Sequence, residues 1–103
     1  MNQKMVLSKI LGESPTIKVI NFLLNGREFD YSISDISEGS EIARMTTYDV
    51  VKDLRKKGLI KKTRKQGVSP LYKINLESEE VKVLFEAYKK LLKSNLKKLG
   101  KNG

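Results

Sequence analysis

Among the side chains that could do chemistry in this sequence, the cations carry the signal. Between Lys52 and Lys73 stand nine of them, Lys52, Arg55, Lys56, Lys57, Lys61, Lys62, Arg64, Lys65 and Lys73, against a single acid, Asp53. Residues 1–51 hold five Lys/Arg and seven Asp/Glu, so the formal net charge of +9 is concentrated in the second half of the chain. A block this dense attracts polyanions, because each phosphate contact releases condensed counterions. Charge alone is equally compatible with a lysine-rich solubilising surface of the thermophile kind. Other chemistries lack their residues. The chain has neither cysteine nor histidine. That excludes disulfides and thiolate chemistry and leaves zinc sites and imidazole acid–base catalysis without their usual groups. No phosphate-binding glycine loop or paired-carboxylate motif stands out. The expectation is a protein that is not an enzyme and uses no cofactor or metal.

The elements that hold these cations can be read from local signals. With 103 residues, 39% of them apolar, the chain fits one compact domain with a modest core. Ser14-Pro15 opens a helix, hydroxyl cap then proline, with Ile17, Ile20, Leu23 and Leu24 on one face and Asn25-Gly26 closing it. Phe29, Tyr31 and Ile33 alternate with polar residues, which predicts a short extended piece. Ser32-Ile33-Ser34-Asp35 has the form of a capping box and predicts a short helix to about Gly39. The next helix spans about Ala43 to Lys57, with Thr47, Val50, Val51 and Leu54 at helical spacing and Gly58 as its left-handed stop.

Two strands follow, Leu59 to Arg64 and Leu71 to Leu76, around a polar loop Lys65-Gln66-Gly67-Val68-Ser69-Pro70. Ile60, Tyr72, Ile74 and Leu76 share their covered face. A last helix runs from Ser78 to about Leu99, and residues 100–103 read as a disordered tail. No apolar run approaches a membrane span and the first residues do not resemble a signal peptide, so a soluble, cytoplasmic protein is expected.

This order of elements, α+β but mainly α, is that of a winged helix-turn-helix, whose recognition helix enters the major groove and whose hairpin wing lies along the backbone or minor groove. The basic block begins inside that helix and runs through the hairpin, so charge and element order agree. The chain also resembles the small archaeal winged-helix transcriptional regulators related to the MarR and ArsR types. The resemblance covers about residues 10–86. It is carried by Leu11-Gly12-Glu13-Ser14-Pro15, Phe29-Asp30-Tyr31-Ser32, Leu54-Arg55-Lys56-Lys57-Gly58-Leu59-Ile60 and Leu71-Tyr72-Lys73-Ile74-Asn75-Leu76. It implies a DNA-binding regulator, often dimeric. Two positions depart from the family pattern. Glu41 stands where glycine is usual and Ala43 where a Ser/Thr cap is usual. That predicts either a turn reshaped through Gly39 and Ser40 or a helix that starts a residue or two away.

On the helix from Ala43, the outward residues Arg44, Met45, Tyr48, Asp49, Lys52 and Arg55 are the groove candidates. Arg44 suits a guanine edge, Met45 and Thr46 a thymine methyl, and Tyr48 a phosphate or base. The alternatives are that Tyr48 packs laterally and Arg44 pairs locally. Asp49 could orient a lysine or accept from cytosine. Lys52, Arg55 and Lys56, with Lys61, Lys62, Arg64 and Lys65 on the wing, suit phosphates, and Arg64 best suits a narrow minor groove.

On the last helix Val81, Phe85, Tyr88, Leu92, Asn95 and Leu99 follow a four-three seam. The predicted dimer interface is Phe85, Tyr88, Leu91, Leu92, Asn95, Leu96 and Leu99, with Asn95 fixing register. Residues 1–77 then form the DNA-binding domain and 78–99 the helix that completes the core and dimerises. A two-fold dimer implies a pseudo-palindromic duplex with half-sites about 10 bp apart. Two other readings compete: a weakly specific architectural DNA binder, and a winged helix that contacts only an acidic protein partner. No small-molecule effector can be read from these residues.

Overall fold

Ser14 and Pro15 start a helix as predicted. In a computed structural model, which describes residues 5–102 and side chains through residue 96, helix α2 spans Pro15–Asn25, and the Ser14 hydroxyl accepts from the Ile17 N–H. Val19, Ile20, Leu23 and Leu24 are buried from it. The other elements are α1 (Val6–Leu11), α3 (Ile33–Ser40), α4 (Arg44–Lys56), an antiparallel hairpin of β1 (Ile60–Gln66) and β2 (Ser69–Ile74), and α5 (Glu79–Asn102). This is the winged helix-turn-helix fold expected from the order of elements.

Helix α1 has no counterpart in the reading above. It is one and a half turns long, too short for a periodic signal, and Met5 supplies no side-chain cap. Its cap comes from elsewhere in the chain. The fully buried Asn21 of α2 turns its side-chain carbonyl to the N–H groups of Leu7 (2.9 Å) and Ser8 (3.2 Å). Val6 and Leu7 thereby enter the core.

The capping box at α3 forms in both directions: Asp35 N–H donates to the Ser32 hydroxyl, and Ser32 N–H to the Asp35 carboxylate. It also shortens the predicted strand over Phe29–Ile33. Ile33 becomes the first helical residue, and only Tyr31 pairs extended, exchanging both backbone hydrogen bonds with Tyr72 (2.7 and 2.8 Å). Two glycines allow close approaches here. A Cβ on Gly39 would stand 2.1 Å from the Phe22 ring, and one on Gly26 1.9 Å from the Tyr31 hydroxyl. Gly26 itself has φ −110°, so it serves Tyr31 rather than a left-handed cap.

The turn into α4 follows neither expected alternative. Helix α3 ends with Glu41 itself left-handed at φ 58°, ψ 47°. Ile42 N–H bonds to Ser37 C=O and Glu41 N–H to Glu38 C=O. That closure requires a left-handed residue and usually employs glycine. Ala43 is extended and opens α4 without a side-chain cap. The turn keeps its shape and bears the strain. Replacing Glu41 with glycine will therefore raise stability by about 0.5–1 kcal/mol, relieved strain outweighing the greater freedom of glycine in the unfolded chain. A higher urea midpoint at unchanged slope is the measurement.

Helix α4 buries Thr47, Val50, Val51 and Leu54. Thr47 returns its hydroxyl to the Ala43 carbonyl at 2.9 Å. Gly58, at φ 76°, stops the helix as expected, with Leu59 N–H on Leu54 C=O and Gly58 N–H on Arg55 C=O. The hairpin differs from the six-residue loop predicted. Gln66 pairs with Ser69 and Lys65 with Pro70, so only Gly67 and Val68 form the turn. Gly67 has φ 62°, which suits the first position of a two-residue hairpin turn. Pro70 is tolerated because a two-stranded sheet consists of edges. Thr63 is the extra residue of a bulge between Lys62 and Arg64.

Helix α5 is capped by the Ser78 hydroxyl, which accepts from Val81 N–H. Its helical backbone continues to Asn102, so residues 100–102 extend the helix and are not the loose tail expected; Gly103 lies outside the described residues. Val81 and Tyr88 are buried, and Tyr88 donates to the Asn25 side chain.

Candidate nucleic-acid interface

Because an α-helix turns 100° per residue, burying Thr47, Val51 and Leu54 forces Arg44, Met45, Tyr48, Asp49, Lys52, Arg55 and Lys56 outward. All seven are exposed, Met45 by 73%. Thr46 is half-buried at the edge of this face. The first turns thus present a mixed apolar, aromatic and cationic surface, and the later turns present cations.

The hairpin register brings wing residues to the same place. Lys62 pairs with Tyr72, so both lie on one sheet face, and the Arg55 guanidinium sits 5.7 Å from the Tyr72 ring centre. Between them runs a concave surface lined by Tyr48, Asp49, Lys52, Arg55, Lys56 and Tyr72. Lys61, on the opposite sheet face, stands directly across from Lys73. Like charges in that position destabilise a sheet, and a polyanion relieves the repulsion.

Among the described residues no cation within α4 is in an ion pair, and Lys57, which caps its end, pairs with Asp53 at 2.9 Å. Arg44, Lys52, Arg55, Lys56, Lys61, Lys62 and Lys65 have none. A surface serving solubility through ion-pair networks would pair its cations with acids. This one leaves them available, and Asp49 pairs with none of them.

Arg64 is the exception among the wing cations. Its guanidinium reaches Asp30, between α2 and α3, with Nε 3.0 Å from one carboxylate oxygen and Nη2 3.3 Å from the other. Thr63 donates its hydroxyl to the same carboxylate at 2.6 Å. The Asp30 side chain is only 18% exposed, whereas Arg64 is 71% exposed. The residue expected to be free for a minor groove thus ties the wing to the body of the domain. No local signal announces a pair so distant in sequence, although Asp30 falls in a stretch that carries the family resemblance. Val68, at the turn, is 93% exposed and was not singled out from sequence.

These hydrogen bonds from Arg64 and Thr63 hold the Asp30 carboxyl well below its ordinary range, at about 2. Its folded value is therefore lower than its unfolded one of about 4. The stabilisation is complete above about pH 4 and is lost as pH falls through about 2. Substituting Asp30→Asn will remove that dependence. Denaturation series should show a stability gap between parent and variant that is constant above about pH 4 and narrows toward about pH 2.

The predicted dimer residues separate into two groups. Leu91 and Leu92 are half-buried and pack against the core of their own chain, with Leu91 also beside Val6 and Ile10 of α1. Phe85 is flanked by cations of its own chain, Arg27 at 4.8 Å and Lys89 at 4.6 Å from the ring centre. Tyr88 is buried within the chain and Asn95 half-buried. Leu96 remains 54% exposed, and Ile10 and Leu11 of α1 are exposed as well. The Leu99 side chain lies outside the described residues. The sequence stripe overstated what α5 has free because α1, unrecognised, covers part of it.

No family model matches the chain, and no curated protein matches it. Solved structures do match in fold. The chain superposes on MepR, a transcription regulator of the Staphylococcus aureus multidrug efflux pump MepA, with TM-score 0.65 at 13% identity, over 98% of this chain and 76% of that one. It superposes on a Lactococcus lactis ZitR mutant in complex with DNA with TM-score 0.61 at 18% identity, over 84% of this chain. It spans 60% of the length of ZitR. The homodimeric winged helix-turn-helix DNA-binding domain Mb0332 of Mycobacterium bovis, a possible ArsR-family transcriptional regulator, gives 0.54 at 20% identity, over 84% of this chain and 75% of that one. Fold and site together define a winged helix-turn-helix protein with an exposed cationic face.

Proposed function

We propose that this protein is a DNA-binding transcriptional regulator that reads a pseudo-palindromic duplex as a homodimer. The observation that carries this reading is the set of cations on α4 and the wing without ion pairs among the described residues, three of which, Lys52, Arg55 and Lys56, line one groove beside Tyr72 of the wing, in a fold shared with a protein solved on DNA. Helix α4 enters the major groove, where Arg44, Met45, Thr46 and Tyr48 meet base edges. Lys52, Arg55 and Lys56, with Lys61, Lys62 and Lys65 of the wing, hold phosphates, and Arg64 positions the wing through Asp30. The protein acts in the cytoplasm and without catalysis. Among the described residues no helix is long and apolar enough to cross a membrane and no acidic cluster could hold a metal.

Selection of bound sequences from random duplex tests this reading. An enriched site with two related halves is expected, and Arg44→Ala and Tyr48→Ala should each relax preference at particular positions by about 1–3 kcal/mol. Tight binding without any enriched sequence would return the architectural reading. It has an observation in its favour, since the turns of α4 that would read bases begin at the uncapped Ala43.

The homodimer uses the apolar residues left on α5 and α1, Leu96 with Ile10 and Leu11. Exchanging Ile10 and Leu96 for glutamate leaves the monomer core intact. The double variant should sediment as a monomer at concentrations where the parent is a dimer, and an unchanged dimer would refute this surface.

A further inference from the structure

We propose, resting on the duplex-binding reading, that Asp30 is a positioning residue: it holds the Arg64 guanidinium with one edge open to grip a phosphate, and so strengthens duplex binding although it is itself an acid. In a regular strand consecutive side chains point to opposite faces, so Thr63 and Arg64 could not both reach one carboxylate. The bulge at Thr63 breaks that alternation. Both side chains then donate to Asp30, the Thr63 hydroxyl and the Arg64 Nε–H to one oxygen and Nη2 to the other. Asp30 itself is mostly covered, and these bonds keep it ionised at neutral pH.

A guanidinium donates from Nε, Nη1 and Nη2 in a rigid fork. Asp30 engages the edge formed by Nε and Nη2. The edge formed by Nη1 and Nη2 stays open on a side chain that is largely exposed and has no second ion pair among the described residues. That edge matches two oxygens of a phosphate. Immobilising a free arginine on a ligand weakens binding by about two- to tenfold. Asp30 has already immobilised this one. The opposing effect is repulsion between Asp30 and the phosphate. The two stand on different edges of the guanidinium, with its positive charge between them, at a separation approaching the Debye length of about 8 Å at 0.15 M salt. Preorganisation therefore outweighs repulsion.

The sign of the effect is the test, because removing an acid beside a polyanion site strengthens binding by electrostatics alone. Affinity of the full chain for a mixed-sequence duplex is measured by fluorescence anisotropy over a range of salt, with circular dichroism confirming the fold of each variant. Asp30→Asn should weaken binding about threefold at 0.15 M salt. In the Arg64→Ala background, which lowers the salt slope by about 1, the same change should leave binding equal or tighter. Arg64→Lys keeps the charge without the fork, and should weaken binding by a similar factor at unchanged slope. Equal or tighter binding by Asp30→Asn, or the same loss in both backgrounds, would overturn the proposal while leaving duplex binding by the parent intact. A parent that binds no duplex would overturn both.

Discussion

A chain carrying Lys52→Ala, Arg55→Ala and Lys56→Ala together will bind duplex DNA about a hundredfold more weakly at 0.15 M salt, and its plot of log affinity against log salt will be shallower by about 3. The magnitude follows from counterion release. Each phosphate contact contributes about 0.9 of a decade in affinity per decade of salt, so between 1 M and about 0.15 M it is worth roughly fivefold. The three side chains share one groove and have no ion pairs to lose. All three are exposed on a helix that alanine favours. Among the described residues the three side chains make no ion pair, and the cation–π contact removed is that of Arg55 with the Tyr72 ring, worth about 0.5–1 kcal/mol at such a site. The fold therefore survives, and the loss reports on the interface. It should also be equal for every duplex sequence, because phosphates carry no sequence information. Arg44→Ala offers the contrast, with a loss that depends on the base pair it faces. An unchanged salt slope in the triple variant would make these cations a solvating surface only.

What was legible in the sequence is what neighbouring residues decide among themselves. Ser14-Pro15, the Ser32–Asp35 box and the Gly58 stop each need only a few consecutive residues, and each forms. The outward face of α4 was legible for the same reason, since helical geometry assigns it once Val51 and Leu54 are placed inside. The site becomes illegible where it depends on distant pairing. That Lys62 shares a face with Tyr72 depends on hairpin register, and the bulge at Thr63 shifts that register for the residues beyond. That Arg64 serves Asp30 depends on how β1 passes the α2–α3 connection. Glu41 is an intermediate case. Its departure from glycine was visible, but whether the turn would move or bear the strain depended on the hydrogen bonds that Ser37 and Glu38 offer. Gly39 could not be assigned its role without the Phe22 ring beside it.

The largest stability effect is expected at a residue that no sequence pattern singled out. Asn21→Ala will destabilise the protein by about 3 kcal/mol, because the buried N–H groups of Leu7 and Ser8 both lose their acceptor and each such loss costs about 1–3 kcal/mol. For a domain of this size that lowers the melting temperature by about 15 °C, a large part of a total stability of roughly 5–15 kcal/mol. The damage should begin locally. Helix α1 has no cap of its own and only six residues, so once released it cannot persist by propensity alone. Amide exchange at Leu7 and Ser8 should accelerate well before that of the α4 amides. The consequence reaches the proposed function because α1 does two things: it buries Val6 and Leu7 in the core, and it holds Ile10 and Leu11 exposed on the surface proposed for the homodimer. The variant should therefore dimerise more weakly even at temperatures where its winged-helix core is fully folded. Sedimentation and exchange measured together separate the outcomes. Fast α1 exchange with an intact dimer would keep the cap and remove α1 from the interface, whereas unchanged exchange at Leu7 and Ser8 would show that Asn21 does not cap α1.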